Sequence, residues 1–193
     1  MTQVDKPKKA HPSDWIIQAA FDAAKTMPWA QLTLSDIAEA AGRSMVELRD
    51  VVDDKTDILV LYGRKLDRNV LQNCAKPDYS ESEKDRLFEV LMERFDILNQ
   101  DREAVLSILD SLKSDPKALV ISFPHLKHSM AWMMEAAGVS SSGWRGLAKL
   151  ALLTGLYLNV VRHWKNDDSP DLAKTMAGLD RALERFTKCG NVI

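Results

Sequence analysis

The sequence predicts an all-α protein in which an N-terminal helix–turn–helix precedes a larger helical domain. Apolar residues recur at spacings of three and four along most of the chain, and alternating β-branched runs that would form strands are nearly absent. In addition, two sequence patterns typical of helix starts flank a glycine at position 42. We therefore expect an arm at 1–12, a helix–turn–helix domain at 13–60 and a second helical domain at 61–193.

Composition excludes a general attraction between this chain and nucleic acid. Of the 193 residues, 46% are hydrophobic, which is enough to build a buried core. The 26 Lys and Arg residues are outnumbered by 28 Asp and Glu residues, which gives a formal net charge of -2. Any affinity for nucleic acid must therefore come from a local patch of positive charge.

Cysteine usage and hydropathy indicate a cytoplasmic protein. Cys74 and Cys189 belong to no C-x-x-C pair and no signal peptide precedes the fold, so we expect reduced thiols. The most apolar run, 147–161, is interrupted by Lys149 and is shorter than the roughly 20 residues that a membrane helix needs. We expect a buried helix there and no stable membrane insertion.

The arm at 1–12 carries Lys6, Lys8 and Lys9 among prolines and polar residues. Such an arm can follow the DNA backbone or enter a minor groove, and the plain alternative is a solvated tail. The first helix is predicted to begin after it, with Ser13 as N-cap.

The two helices of the helix–turn–helix have clear starts. Thr33 and Asp36 fit the capping box, in which the hydroxyl accepts the N3 amide and the carboxylate accepts the cap amide. Ser44 and Glu47 repeat this pattern for the second helix. Gly42 lies between them, where the first helix must end and the chain must turn.

Longer helices are predicted for the rest of the chain. Their expected ranges are 54–74, 82–99, 101–114, 115–137 and 144–165. A last helix is predicted after "DDSPD" (167–171), with Ser169 as N-cap and Pro170 at the first helical position.

The last two predicted helices carry more apolar surface than one helical domain of this size easily buries, which predicts a two-fold homodimer. Apolar residues of the last helix alternate in spacing between four and three, a pattern suited to packing against another helix. The alternative is that both helices serve only the core of one chain. The expected interface residues are Leu152, Leu156, Leu172, Met176, Leu179, Leu183 and Phe186.

A pocket for a small apolar effector or a lipid is predicted among the helices of the second domain. Methionine side chains are unbranched and adapt to irregular apolar ligands, although methionines at helical spacing are more often ordinary core. The expected pocket residues are Phe123, Trp132, Met133, Met134, Leu153 and Tyr157.

Catalytic and metal-binding patterns are missing from the sequence. His125 and His128 have the spacing of two ligands on one helix face, but no third ligand at a recognisable spacing accompanies them. Neither a nucleophile elbow nor a glycine-rich nucleotide loop occurs. We expect no enzyme, no metal and no cofactor.

The N-terminal sequence resembles the TetR family of transcriptional repressors. The resemblance rests on a pattern like "IA-x-x-AG-x-S", which here comprises Ile37, Ala38, Ala41, Gly42 and Ser44 and is followed by Lys55. It implies a homodimer that binds a palindromic DNA operator and a ligand that shifts the spacing of the two recognition helices. The expected DNA surface comprises Thr33, Arg43, Ser44, Met45, Arg49 and Lys55.

The charge of the expected recognition segment leaves an alternative open. Between Arg43 and Lys55 there are three cations and four anions, so this stretch is acidic by one charge. Where TetR repressors place an aromatic pair late in this helix, the chain has Arg49 and Val52. A helix–turn–helix that no longer binds DNA is the alternative.

The C-terminal half resembles the coenzyme Q biosynthesis accessory family, whose lipid-binding members have a TetR-like fold. This resemblance rests on "AWMMEAAG" (131–138) and "HWKNDDSPDLAKTMAGLDRAL" (163–183). It implies the alternative function of a lipid- or isoprenoid-binding accessory protein in ubiquinone biosynthesis. The eukaryotic members carry a further amphipathic helix, for which the sequence after Phe186 is too short, so we favour the ligand-responsive repressor.

Overall fold

A computed structural model describes residue 11 and residues 13–113 and 116–190. The arm residues Lys6, Lys8 and Lys9 lie outside the described residues. Within the described ranges the regular elements are helices and no strand occurs. In chain order they are α1 (Asp14–Thr26), α2 (Leu34–Ala40), α3 (Met45–Arg49), α4 (Lys55–Asn73), α5 (Glu83–Gln100), α6 (Arg102–Lys113), α7 (Pro116–Ala136), α8 (Gly143–Lys165) and α9 (Ala173–Gly190).

Helices α1, α2 and α3 form a small unit with the first turns of α4. Its core contains Ile16, Ile37, Leu48 and Ile58, each at most 1% exposed. Gly42 has a φ of 62°, and the Gly42 and Arg43 amides donate to the carbonyls of Glu39 and Ala38 at 2.9 and 3.0 Å. A glycine in this left-handed conformation ends α2 and turns the chain into α3.

Ser13 has the predicted N-cap position of α1, but it does not cap the helix with its side chain. Ser13 makes no side-chain capping bond to the helix, and instead the Asp14 carboxylate accepts the His11 amide at 2.7 Å. The Ser13 hydroxyl lies 2.7 Å from the His11 ring, so its polar group is used within the turn that precedes α1.

Helix α4 connects the small unit to the larger helical domain and runs through the predicted boundary at residue 60. It packs on α1, α5 and α7. One helix therefore belongs to both units.

The connection between α8 and α9 contradicts the predicted helix start. Helix α9 begins at Ala173, and Leu172 before it has a φ of 53°, so Pro170 is not in its first turn. The reason is Asp167, which is 1% exposed and accepts the amide and hydroxyl of Thr175 at 2.7 Å each. Asp167 also accepts hydrogen bonds from the amide and the hydroxyl of Ser169, and these bonds hold "DDSPD" in a turn.

The described helices include none whose length and apolar character would let it cross a lipid bilayer.

Candidate functional site

The two predicted capping boxes are both present. Asp36 and Thr33 exchange bonds at 2.8 and 3.2 Å at the start of α2, and Glu47 and Ser44 do so at 2.9 and 3.2 Å at the start of α3. The Ser44 amide, together with the Arg43 guanidinium, lowers the pKa of Glu47 to about 2. Local capping therefore accounts for Glu47, one of the four acidic residues between Arg43 and Lys55.

Helix α3 touches the core through one side and presents the other to solvent. Leu48 is its buried residue, whereas Met45 is 49% and Val46 is 71% exposed. Thr33, Arg43, Ser44 and Arg49 are exposed as well. Five of the six predicted DNA-contacting residues are therefore exposed.

Both arginines of this surface are engaged by acids of the same segment. Nη1 of Arg43 lies 2.8 Å from Oε1 of Glu47, and its guanidinium stands 5.0 Å from the centre of the Trp15 ring. Arg49 forms an ion pair with Asp53 in which the two side chains are 69% and 78% exposed.

Lys55 makes hydrogen bonds within the chain that the sequence pattern did not reveal. Its ammonium donates to the carbonyl oxygens of Trp29 at 2.8 Å and Leu32 at 2.6 Å, and lies 5.6 Å from the centre of the Trp29 ring. These bonds tie the first residue of α4 to the connection between α1 and α2. The place of Lys55 in the DNA surface stays a prediction.

The connection between α1 and α2 is also hydrogen-bonded to the larger domain. The amide of Trp29, whose side chain is 4% exposed, donates to the Ser107 hydroxyl of α6 at 3.0 Å. An open cleft of about 740 Å³ lies between this connection and α6, with Met27, Leu106 and Asp110 in its wall. None of the six predicted pocket residues, all within the described ranges, lines this cleft.

Four of the six predicted pocket residues are brought together, and two are not. Met133, Met134, Leu153 and Tyr157 are buried to 4% exposure or less in the core of the larger domain. Phe123 and Trp132, in contrast, are 51% and 58% exposed, because they lie away from the face of α7 that packs on its neighbours. Their place in a pocket wall stays a prediction.

A buried polar cluster lies among the four interior residues. Nη1 of Arg94 is 2.5 Å from Oδ1 of Asp67, and the Ser129 hydroxyl donates to that same oxygen at 2.5 Å. Nε of Arg94 donates to the Tyr157 hydroxyl at 3.1 Å, and Nη1 lies 3.9 Å from the Met133 sulfur. Burial opposes the charge of Arg94, but Tyr157 and Asp67 keep its pKa raised.

This cluster was missed from the sequence, although a signal was present. Arg94 falls on the same helical stripe of α5 as Leu87, Leu91 and Leu98, where only apolar residues are expected. A charged residue on an apolar stripe predicts a buried partner, since an unpaired buried charge is strongly unfavourable.

Four of the predicted dimer residues, Leu172 before α9 and three on α9, lie inside the chain. Leu172, Leu179, Leu183 and Phe186 are at most 2% exposed because α9 packs on α8 and α5. They have almost no area left for a partner subunit, so their role is core rather than interface. Met176 is 43% exposed, and Leu152 and Leu156 are half-buried against the core.

A different face of α8 carries the exposed apolar surface. Trp144 is 67%, Leu147 is 55% and Leu158 is 39% exposed. These residues share one side of the helix with Ala151 and Gly155, which are also exposed.

The two histidines whose spacing matches a pair of metal ligands lie on the outward side of α7. His125 and His128 are exposed, and the His128 ring bonds the Pro124 carbonyl of the preceding turn at 2.8 Å.

Solved structures of other proteins share this arrangement of helices. No protein-family model and no curated protein matches the chain. A TetR transcriptional regulator from Nitrosomonas europaea matches with a TM-score of 0.73 at 20% identity, over 93% of this chain and 99% of that one. The fold is TetR-like. This confirms the all-α prediction.

Two further solved structures share the TetR-like fold. A TetR transcriptional regulator from Rhodococcus sp. RHA1 has a TM-score of 0.65 at 20% identity, over 89% of this chain and 93% of that one. A transcriptional regulator from Rhodococcus sp. Rha1 has a TM-score of 0.51 at 16% identity, over 93% and 97%. The resemblance of residues 163–183 to the coenzyme Q accessory family stays a prediction.

Proposed function

We propose that the protein is a ligand-responsive transcriptional repressor that binds a palindromic operator as a homodimer in the cytoplasm. The observation that supports this most is the outward face of α3, where Ser44, Met45, Val46 and Arg49 are exposed at the end of a helix–turn–helix. A recognition helix contacts base edges through residues of this kind, while flanking cations bind phosphates.

The ion pairs of Arg43 and Arg49 are compatible with DNA binding. Exposed ion pairs within one helix segment contribute little to stability, so a phosphate can replace the carboxylate at small cost. The neighbouring acids still repel the DNA backbone, and the net charge of this segment therefore makes weak, strongly salt-dependent binding the expectation.

Replacing Arg49 with alanine should weaken operator binding. The negative slope of log affinity against log salt should become less steep by about one, because one phosphate contact is lost. Asp53→Asn should have the opposite effect on affinity, since it releases Arg49 from its ion pair. Arg64→Ala, which removes an exposed arginine of α4, is the matched control.

The operator itself is found by sequencing genomic DNA retained by the purified protein at two salt concentrations. An enriched two-fold site whose retention decreases with salt supports the proposal, and fluorescence anisotropy on that site then measures the variants. Equal affinities for wild type, Arg49→Ala and Asp53→Asn would remove Arg49 from the DNA surface.

Dimerisation is proposed through the exposed face of α8 rather than through the apolar residues of α9. Trp144, Leu147 and Leu158 form an apolar strip along a long helix, and a two-fold axis across it would pair the strip with its own copy. Such pairing would set the distance between the two α3 helices, as a palindromic site requires.

The double variant Leu147→Glu and Leu158→Glu should therefore be monomeric at micromolar concentration, because charges would be buried in the apolar contact. Light scattering should give twice the 21.7 kDa chain mass for wild type and the single-chain mass for the variant. Leu71→Glu, at a comparably exposed leucine of α4, should remain dimeric. A wild-type mass of 21.7 kDa contradicts the dimer.

The pairing of Arg43 and Arg49 with acids of their own segment favours a second candidate, a lipid- or isoprenoid-binding accessory protein that no longer binds DNA. Mass spectrometry of the purified protein distinguishes the two. A co-purifying isoprenoid together with no enriched DNA site supports the accessory protein.

A further inference from the structure

The strongest unassigned feature of the larger domain is the ion pair between Asp67 and Arg94. It joins α4 to α5 where α7 contributes Ser129 and α8 contributes Tyr157. The Arg94 side chain is 4% exposed and the Asp67 side chain 13%. Asp67 is therefore the outer partner, nearer to water.

A buried arginine needs an anion, but not a particular one. Taking both charges out of water costs about as much as their attraction returns, so the pair itself adds little stability. Arginine keeps its charge in proteins, and removing Asp67 without replacement would leave that charge unpaired. A ligand carboxylate can accept the same two donors that meet at Oδ1 of Asp67, which are Nη1 of Arg94 and the Ser129 hydroxyl.

The surroundings of the pair are apolar and adaptable. Met133 is fully buried with its sulfur 3.9 Å from Nη1 of Arg94, and Tyr157 stacks on Phe95 with ring centres 5.3 Å apart. Methionine side chains can repack around an alkyl chain. The chemistry of the cluster thus matches a molecule with one anionic group and an apolar body.

Asp67 also connects this cluster to the helix–turn–helix. It lies on α4, whose first residue, Lys55, bonds the carbonyls of Trp29 and Leu32. Release of Asp67 from Arg94 removes the ion pair between α4 and α5, and leaves these two helices joined by the hydrogen bond from Asn73 to Glu93 and by apolar contacts. A ligand that binds Arg94 would therefore bias the position of α4 and of α3 before it.

We propose that the effector is an apolar-chain carboxylate that binds Arg94 and Ser129 in place of Asp67 and so releases α4. This inference rests on the proposed ligand-responsive function and names the chemical class of its ligand. The apolar chain is accommodated among Met133, Met134 and Leu153, and Asp67 turns toward solvent.

The test measures binding of sodium decanoate and of decanol, below the concentration at which decanoate forms micelles, in the absence of DNA. For wild type, decanoate should raise the melting temperature more than decanol does, because only decanoate supplies a partner for Arg94. Equal shifts with both probes, or no shift with either, overturn the proposal.

Two variants test the competition with Asp67. Asp67→Asn removes the internal competitor, so the dissociation constant for decanoate should fall by about tenfold while that for decanol stays unchanged. The double variant Asp67→Asn with Arg94→Met should lose the preference for decanoate over decanol. A preference that survives in the double variant, or a folded Asp67→Asn protein with unchanged affinity, overturns the proposal.

Asp180→Asn is the matched control, because it removes the acid of an exposed ion pair with Lys84 and should change neither affinity. Should Asp67→Asn fail to fold, the wild type and the double variant still decide the outcome. The assay contains no DNA, so a failed operator search contradicts the repressor and leaves this result standing. Failure with decanoate contradicts only the ligand class.

Discussion

Replacing Arg94 with methionine is expected to lower the free energy of unfolding by about 3–5 kcal/mol, because the Asp67 carboxylate then either stays buried without a cation or turns toward solvent and loses its bond with Ser129. The Ser129 hydroxyl cannot neutralise that carboxylate, and the Tyr157 hydroxyl loses its donor. Urea denaturation followed by circular dichroism measures the change at neutral pH.

The double variant Asp67→Asn with Arg94→Met should recover most of this stability, since neutral side chains of similar size replace both charges. Lys84→Met is the control, because it breaks the exposed pair with Asp180 and should have a far smaller effect. If Arg94→Met were no more harmful than Lys84→Met, the pair would not be the buried connection described above.

The second large effect is expected at Asp167. Its substitution by alanine removes four bonds to Ser169 and Thr175, and leaves the Thr175 amide and hydroxyl buried without an acceptor. We expect a loss of about 2–4 kcal/mol in the free energy of unfolding. Asp168→Ala, whose carboxylate is 93% exposed at the adjacent position, should have little effect.

The stabilisation from Asp167 should also depend on pH. Burial raises its pKa, but the bonds from Ser169 and Thr175 outweigh burial and hold the pKa well below the ordinary value. A lowered pKa in the folded state stabilises the fold above the unfolded value of about 3.9, and this contribution is lost as the pH falls below it.

Unfolding measured from neutral pH down to about pH 2 should therefore show the difference between wild type and Asp167→Asn becoming smaller below about pH 4. A difference that stays constant over this range would mean that the Asp167 carboxylate is not the titrating group.

Local structure was predictable in this chain where neighbouring residues determine it. The capping boxes of Thr33 and Ser44 and the turn at Gly42 depend on side chains three residues apart or on one backbone conformation, and the structure contains all of them. Helix identity was predictable for the same reason, because spacing of three and four is a property of the segment itself.

What lies against each helix was decided by the tertiary structure. An apolar stripe shows that one side of a helix is buried, but it does not tell whether the cover is the same chain or a second copy. The α9 stripe around Leu183 is therefore core, while the exposed surface of α8 around Leu147 is the part available to a partner.

The same reason explains the other differences. Trp132 and Met133 are adjacent in sequence, yet one is 58% exposed and the other fully buried, because packing of α7 on α4 and α8 selects a side. Asp67 and Arg94 are 27 positions apart and meet only when α4 packs on α5. Spacing along the chain specifies helices and their caps, whereas contacts between helices depend on how the whole chain excludes water.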